Sequence, residues 1–167
     1  MLGAIALVLG VAVAMTRWSF GRYDDLRRVA AASNEAMRQA ALALGLELSR
    51  TEDYEHPIVG NIPSFANVRG VVDGARVMIS VARSSEGDTA NTELSTELDS
   101  EVTHPALAAS REAGDRYRLE QDGRRLILRP RLARTGSSQF ITYEVVTDPG
   151  ELIALLHELA RLAQRAR

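Results

Sequence analysis

Cysteine and lysine are both absent from this 167-residue chain; its 20 basic side chains are all arginine. Without thiols there can be no disulfide, no thiolate metal site, no cysteine nucleophile and no lipid attached at cysteine. Without lysine there is no Schiff-base amine, no phosphate-loop lysine and no tunable ammonium base, and the permanently charged guanidinium replaces none of these. The chain also has no G-x-S-x-G elbow, no phosphate loop and no dinucleotide fingerprint. Internal repeats and low-complexity tracts are missing too. These gaps lean away from an enzyme while leaving the question open, and no cofactor is expected.

With 46% hydrophobic and 25% charged residues, the chain is too apolar to stay unfolded, and its length suits one domain. Its first fifteen residues, MLGAIALVLGVAVAM, carry no charge and lead into Arg17, Trp18, Phe20 and Arg22. A helix from Leu2 to Phe20 would be about 28 Å long, close to the ~30 Å hydrocarbon core, with Arg17 snorkelling and Trp18 at the interface. The expectation is a membrane anchor over 1–20. A cleavable signal, with Ala12-Val13-Ala14 as its cleavage site, and a buried core helix are the alternatives. Arg17, Arg22, Arg27 and Arg28 follow the apolar run, so the positive-inside rule places the following domain in the cytoplasm; export after cleavage is the alternative.

The spacing predicts a juxtamembrane amphipathic helix within 21–45, from Tyr23 to Leu44, closed by Gly45. Its narrow stripe is Leu26, Ala30, Ser33, Met37, Ala40 and Leu44, which would pack on the chain's own sheet or form a helix-to-helix seam with a second copy. Residues 46–167 then form an α+β domain. Asp73-Gly74 predicts a two-residue hairpin turn pairing Val72 with Ala75, Gly70 with Val77 and Val68 with Ile79 on an apolar face. Asp122-Gly123 predicts a second hairpin pairing Leu119 with Leu126 and Tyr117 with Leu128. Thr89–Leu98 and Gln139–Thr147 read as two further strands, although Leu94 and Leu98 also suit a helix. Asp148 as N-cap and Pro149 at the first helical position open a final amphipathic helix with Leu152, Leu155, Leu156, Leu159 and Leu162 inward. The expected fold is five or six mostly antiparallel strands built from hairpins, with a helix on either side. The stretches 57–63 and 133–138 read as loops.

Candidate chemistry is sparse. Glu52, Asp53, Glu55 and His56 are the densest set of metal-ligating types, but four side chains within five residues cannot easily converge, so a solvated loop outweighs a metal-dependent hydrolase. His104 and His157 read as surface residues. Charge is uneven: residues 46–110 hold four arginines against eleven acids, and 111–167 hold eleven against eight. Within the basic part, Arg124, Arg125, Arg129, Arg131 and Arg134 form a strip without an acid, suited to an anionic partner or lipid headgroups. Aromatic residues do not interleave with it, so nucleic acid is not expected. The acidic middle could also pair with the basic strip of another copy.

The run GLELS followed by VGNIPSFANVRGVVDGARVMISV, and the late helix LIALLHELARLA, resemble bacterial α+β domains that follow a single membrane helix and have no assigned activity. That resemblance implies fold, not chemistry. The expected function is a membrane-tethered, non-catalytic binding or scaffolding domain whose partners are the membrane and another protein, with a homo-oligomer as a further expectation. The alternatives are a peripheral module that binds anionic lipid and a metal-dependent hydrolase.

Overall fold

The structure, a computed structural model, describes residues 24–50, 52–56, 60–62, 64–83, 89–98, 117–131, 136–138 and 141–165. The expected anchor with Arg17, Trp18, Phe20 and Arg22 lies outside these residues, as do His104 and Arg134. No helix among the described residues is long and apolar enough to cross a membrane.

Helix α1 occupies residues 24–44. It ends where Gly45 turns left-handed at φ 66° and the Leu46 amide reaches back to the Ala41 carbonyl at 2.8 Å, which closes the last turn on its own orphan acceptors. The stripe of Leu26, Ala30, Ser33, Met37 and Ala40 is buried. Met37 and Ala40 join the sheet residues Val68, Ile79 and Leu94 in one core, so the stripe packs on the chain's own sheet and leaves no surface for a seam. Asn34 pins the helix to the sheet, its amide donating to the Ser64 carbonyl at 2.9 Å and its Oδ1 accepting the Ala66 amide at 2.7 Å.

The strands are β1 (Glu47–Arg50), β2 (Tyr54–His56), β3 (Gly60–Ile62), β4 (Ala66–Val72), β5 (Ala75–Arg83), β6 (Thr89–Glu97), β7 (Tyr117–Asp122), β8 (Arg125–Pro130), β9 (Gly136–Ser138) and β10 (Ile141–Glu144). Six of them form an antiparallel sheet in the order β1-β4-β5-β6-β8-β7. Strand β6 is longer than its neighbour β8, so its edge forks: Leu94–Glu97 pair with β8, while Thr89–Asn91 pair in parallel with β10, which carries β9. Strands β2 and β3 make a separate hairpin. The 57–63 stretch expected as a loop thus holds β3, and β9 occupies part of the 133–138 stretch.

Asp73 and Gly74 have φ of 48° and 78°, the two positive values that a type I′ turn requires. The pairs Val72↔Ala75, Gly70↔Val77 and Val68↔Ile79 follow as expected. The second hairpin departs from expectation by two residues, pairing Leu119 with Leu128 and Tyr117 with Pro130. Gly123, at φ 55°, takes the first central position of the turn and Arg124 the second, so Asp122 is spared a left-handed conformation. An even shift keeps every side chain on its face.

Helix α2 (Pro149–Arg165) begins on the Asp148 carboxylate, which accepts the Gly150 amide at 2.7 Å. Leu152, Leu156, Leu159 and Leu162 are buried against β4, β5 and β6, with Leu155 half-buried. Its outer side holds the β4–β5 turn: His157 Nδ1 lies 2.6 Å from the Asp73 carboxylate, and Gln164 donates to the Asp73 carbonyl. Both helices therefore cover the sheet face of Val68, Val77, Ile79, Leu94, Leu126 and Leu128.

Candidate functional site

Since side chains alternate along a strand, the register fixes what the opposite face carries. Three rows cross it. At the turn end run Val71, Arg76, Glu97, Arg125 and Asp122, from β4 to β7. Next come Glu47, Arg69, Met78, Ser95, Ile127 and Glu120, from β1 to β7, and then Ser49, Asn67, Ser80, Glu93, Arg129 and Arg118. Within the six strands this face carries five arginines and five carboxylates, so it is neutral. No described helix packs on it. Val71 is 59% exposed and Met78 36%, large apolar side chains facing outward among charged and polar ones, whereas Ile127 and Ser95 at the centre of the face are buried.

The rows differ in how their charges are used. Arg129 donates to Glu93 at 2.7 Å and also to Glu120. Burial works against its charge, but these bonds outweigh burial and raise its pKa above the ordinary value. Arg69 binds Glu47 through two nitrogens at 2.8 and 3.0 Å, which holds that carboxyl below its usual range. In the first row, by contrast, Arg125 lies opposite Asp122, and Arg76 and Glu97 sit one step beyond the last β5–β6 pair, Val77↔Thr96, yet no ion pair joins either couple. Arg125 donates instead to the Ser95 hydroxyl at 3.0 Å. Around these groups the surface dips into an open concavity of about 380 Å³, lined by Arg76, Met78, Ser95, Glu97, Asp122 and Arg125 among others.

The expected basic strip is thus divided. Arg125 and Arg129 reach the outer face, Arg124 donates to the Leu98 carbonyl at 3.0 Å from the turn, Arg131 is exposed beyond β8, and Arg134 is outside the described residues. In the acidic cluster, Asp53 accepts the Ser64 amide at 2.9 Å and pairs with Arg50, while Glu52 and Glu55 are exposed. The backbone of His56 pairs with Gly60, and its side chain is not among those described. Among the described residues no three His, Asp or Glu side chains gather as a metal site would need.

Arg76, Glu97 and Asp122 are the residues that motif reading missed. The Asp73-Gly74 register already turned Arg76 outward, but its neighbours depend on the order of β6, β8 and β7, which no local signal encodes. No family model matches this chain, and no curated protein or solved structure matches it either.

Proposed function

We propose that this chain is a membrane-tethered, non-catalytic binding domain that engages a protein through the outer face of its sheet. The observation that carries the reading is the contrast between the two faces: one is sealed by α1 and α2, while the other leaves Val71, Met78 and the charges of Arg76, Glu97 and Asp122 available beside a shallow concavity. Shallow, mixed apolar and charged surfaces of this kind suit protein contacts better than deep-pocket chemistry. The tether is the apolar 1–20 segment, with the domain on the cytoplasmic side. An anionic-lipid role draws less support, because the face is neutral and Arg129 is held by two carboxylates.

The test is site-specific photo-crosslinking of the full chain in native membranes, with the reactive side chain placed at Met78 or, as a control, at the 70%-exposed Leu42 of α1. Discrete protein adducts from position 78 and none from 42 are expected; equal yields from both would overturn the assignment of the face. Protease treatment of sealed vesicles bearing a C-terminal tag tests the tether, with protection until the membrane is disrupted as the expected result.

A further inference from the structure

The proposed binding face is complementary to itself, and we infer that its partner is a second copy of this chain, docked face to face about a two-fold axis running along the strands between β6 and β8. The inference rests on the reading of the outer face as a binding surface and names what binds there. A two-fold axis in that position keeps each row opposite the same row of the second copy and exchanges β6 with β8 and β5 with β7. Arg76 then faces Asp122 of the second copy, Glu97 faces Arg125, and Glu93 faces Arg129. Symmetry makes each contact twice. The remaining juxtapositions are Met78 with Glu120 and Ser80 with Arg118, and none sets like charges together; Ser95 and Ile127, at the centre of the face, are already buried within each chain.

The position of the axis is specific. Moved one strand toward β5, it brings Glu47 onto Glu120 of the second copy; moved one strand toward β7, it brings Arg129 onto Arg118. Like charges in juxtaposition reject both registers. The cross-strand neighbours Arg76 and Glu97, and Arg125 and Asp122, make no ion pair within one chain, so these four are free to pair between copies. The concavity lined by Ser95, Glu97 and Arg125 straddles the axis and leaves room for water between the sheets. Strand axes that stay aligned across the interface, each strand facing one of opposite direction, also match the aligned packing of two sheets.

Four overlapping strands span about 20 Å by 20 Å, or roughly 400 Å² per copy, below the ~800 Å² per partner of a standard stable interface. The association is therefore weak and salt-sensitive, and a shared membrane makes it effective by confining both copies.

The experiment uses the full chain in proteoliposomes. Because the sequence has no cysteine, one cysteine introduced at Leu42, away from the face, carries donor or acceptor dye, and energy transfer between copies reports association. Arg76→Glu alone and Asp122→Arg alone should each weaken association by about tenfold or more, by placing like charges opposite one another twice per dimer. The two together should restore it to within about threefold, since the same pair is re-formed with its signs exchanged. Both changes are at exposed positions, and circular dichroism checks that each variant folds. The inference is overturned if both single variants associate like the parent, or if the double variant stays as weak as the singles. Photo-adducts with a different protein at Met78, without energy transfer between copies, would sink the homophilic pairing but keep the binding face. Loss of both signals would remove the binding face as well.

Discussion

Two threonines four residues apart on β6 point to the same covered face but should respond in opposite directions to the same substitution. Thr92 and Thr96 are both buried. The Thr92 hydroxyl accepts the Val146 amide at 2.9 Å, tying the segment before α2 to the fork in the sheet. The Thr96 hydroxyl has no hydrogen-bond partner and lies between Val77 and Leu126 in the register. Replacing threonine with valine keeps the shape and removes the oxygen. At position 96 that abolishes a desolvated, unsatisfied group, so Thr96→Val should stabilise the fold by about 1–2 kcal/mol. At position 92 it leaves a buried backbone N–H without an acceptor, so Thr92→Val should destabilise by about 1–3 kcal/mol. Equilibrium urea unfolding followed by far-ultraviolet circular dichroism resolves this, because ~1.5 kcal/mol moves the midpoint by about 0.5–1.5 M at slopes of ~1–3 kcal/mol per M. Destabilisation of equal size at both positions, with unchanged slopes, would refute the reasoning.

Other perturbations test separate parts of the fold. Asn34→Ala removes both bonds between α1 and the start of β4 and should cost about 1–3 kcal/mol, measured in the same titration. Gly45→Ala meets no steric contact, so its cost, about 1 kcal/mol, comes from holding a Cβ at φ 66°; a neutral result would show that the Gly45 turn is not left-handed. Acid should destabilise through Glu35, Glu47 and Glu158. The bond from Arg38, then that from Gln39, lowers the Glu35 carboxyl to about 2; the Arg69 bond lowers Glu47; and the Arg161 bond, opposed by burial, lowers Glu158. A depressed carboxyl stabilises the fold above its unfolded value of ~4.3 and loses that contribution as pH falls through the folded value. The urea midpoint should therefore be insensitive to these groups from pH 7 to 5 and should fall between about pH 4.5 and 2, with a shallower fall in Glu158→Gln.

The parts of the fold that were legible in the sequence are those set by local chemistry. Asp73-Gly74 forces two positive φ values and so fixes its hairpin to the residue, whereas Gly123 admits a neighbouring turn in which Asp122 stays extended, and the register moved by two. The caps at Gly45 and Asp148 were legible because each satisfies groups within a few residues of itself. The parallel pairing of β10 with β6 and the contact between His157 and Asp73, 84 residues apart, were not, since nothing local specifies them. The same limit hid the candidate site. Arg125 stands out in the sequence as part of a basic strip, but its position in a row with Glu97 and Asp122 exists only once β6, β8 and β7 lie side by side.

The central claim is that one face of the sheet is sealed by two helices while, among the described residues, no helix covers the other and Val71 and Met78 are exposed on it, and the cysteine-free background tests it directly. Single cysteines at Val77, Met78 and Ile79 put three consecutive positions of β5 on alternating faces. The rate of thiol labelling in the native state should be high at 78 and low at 77 and 79, with all three equal after unfolding in urea. Labelling at 78 as slow as at its neighbours would contradict an open face, and with it the binding surface proposed there.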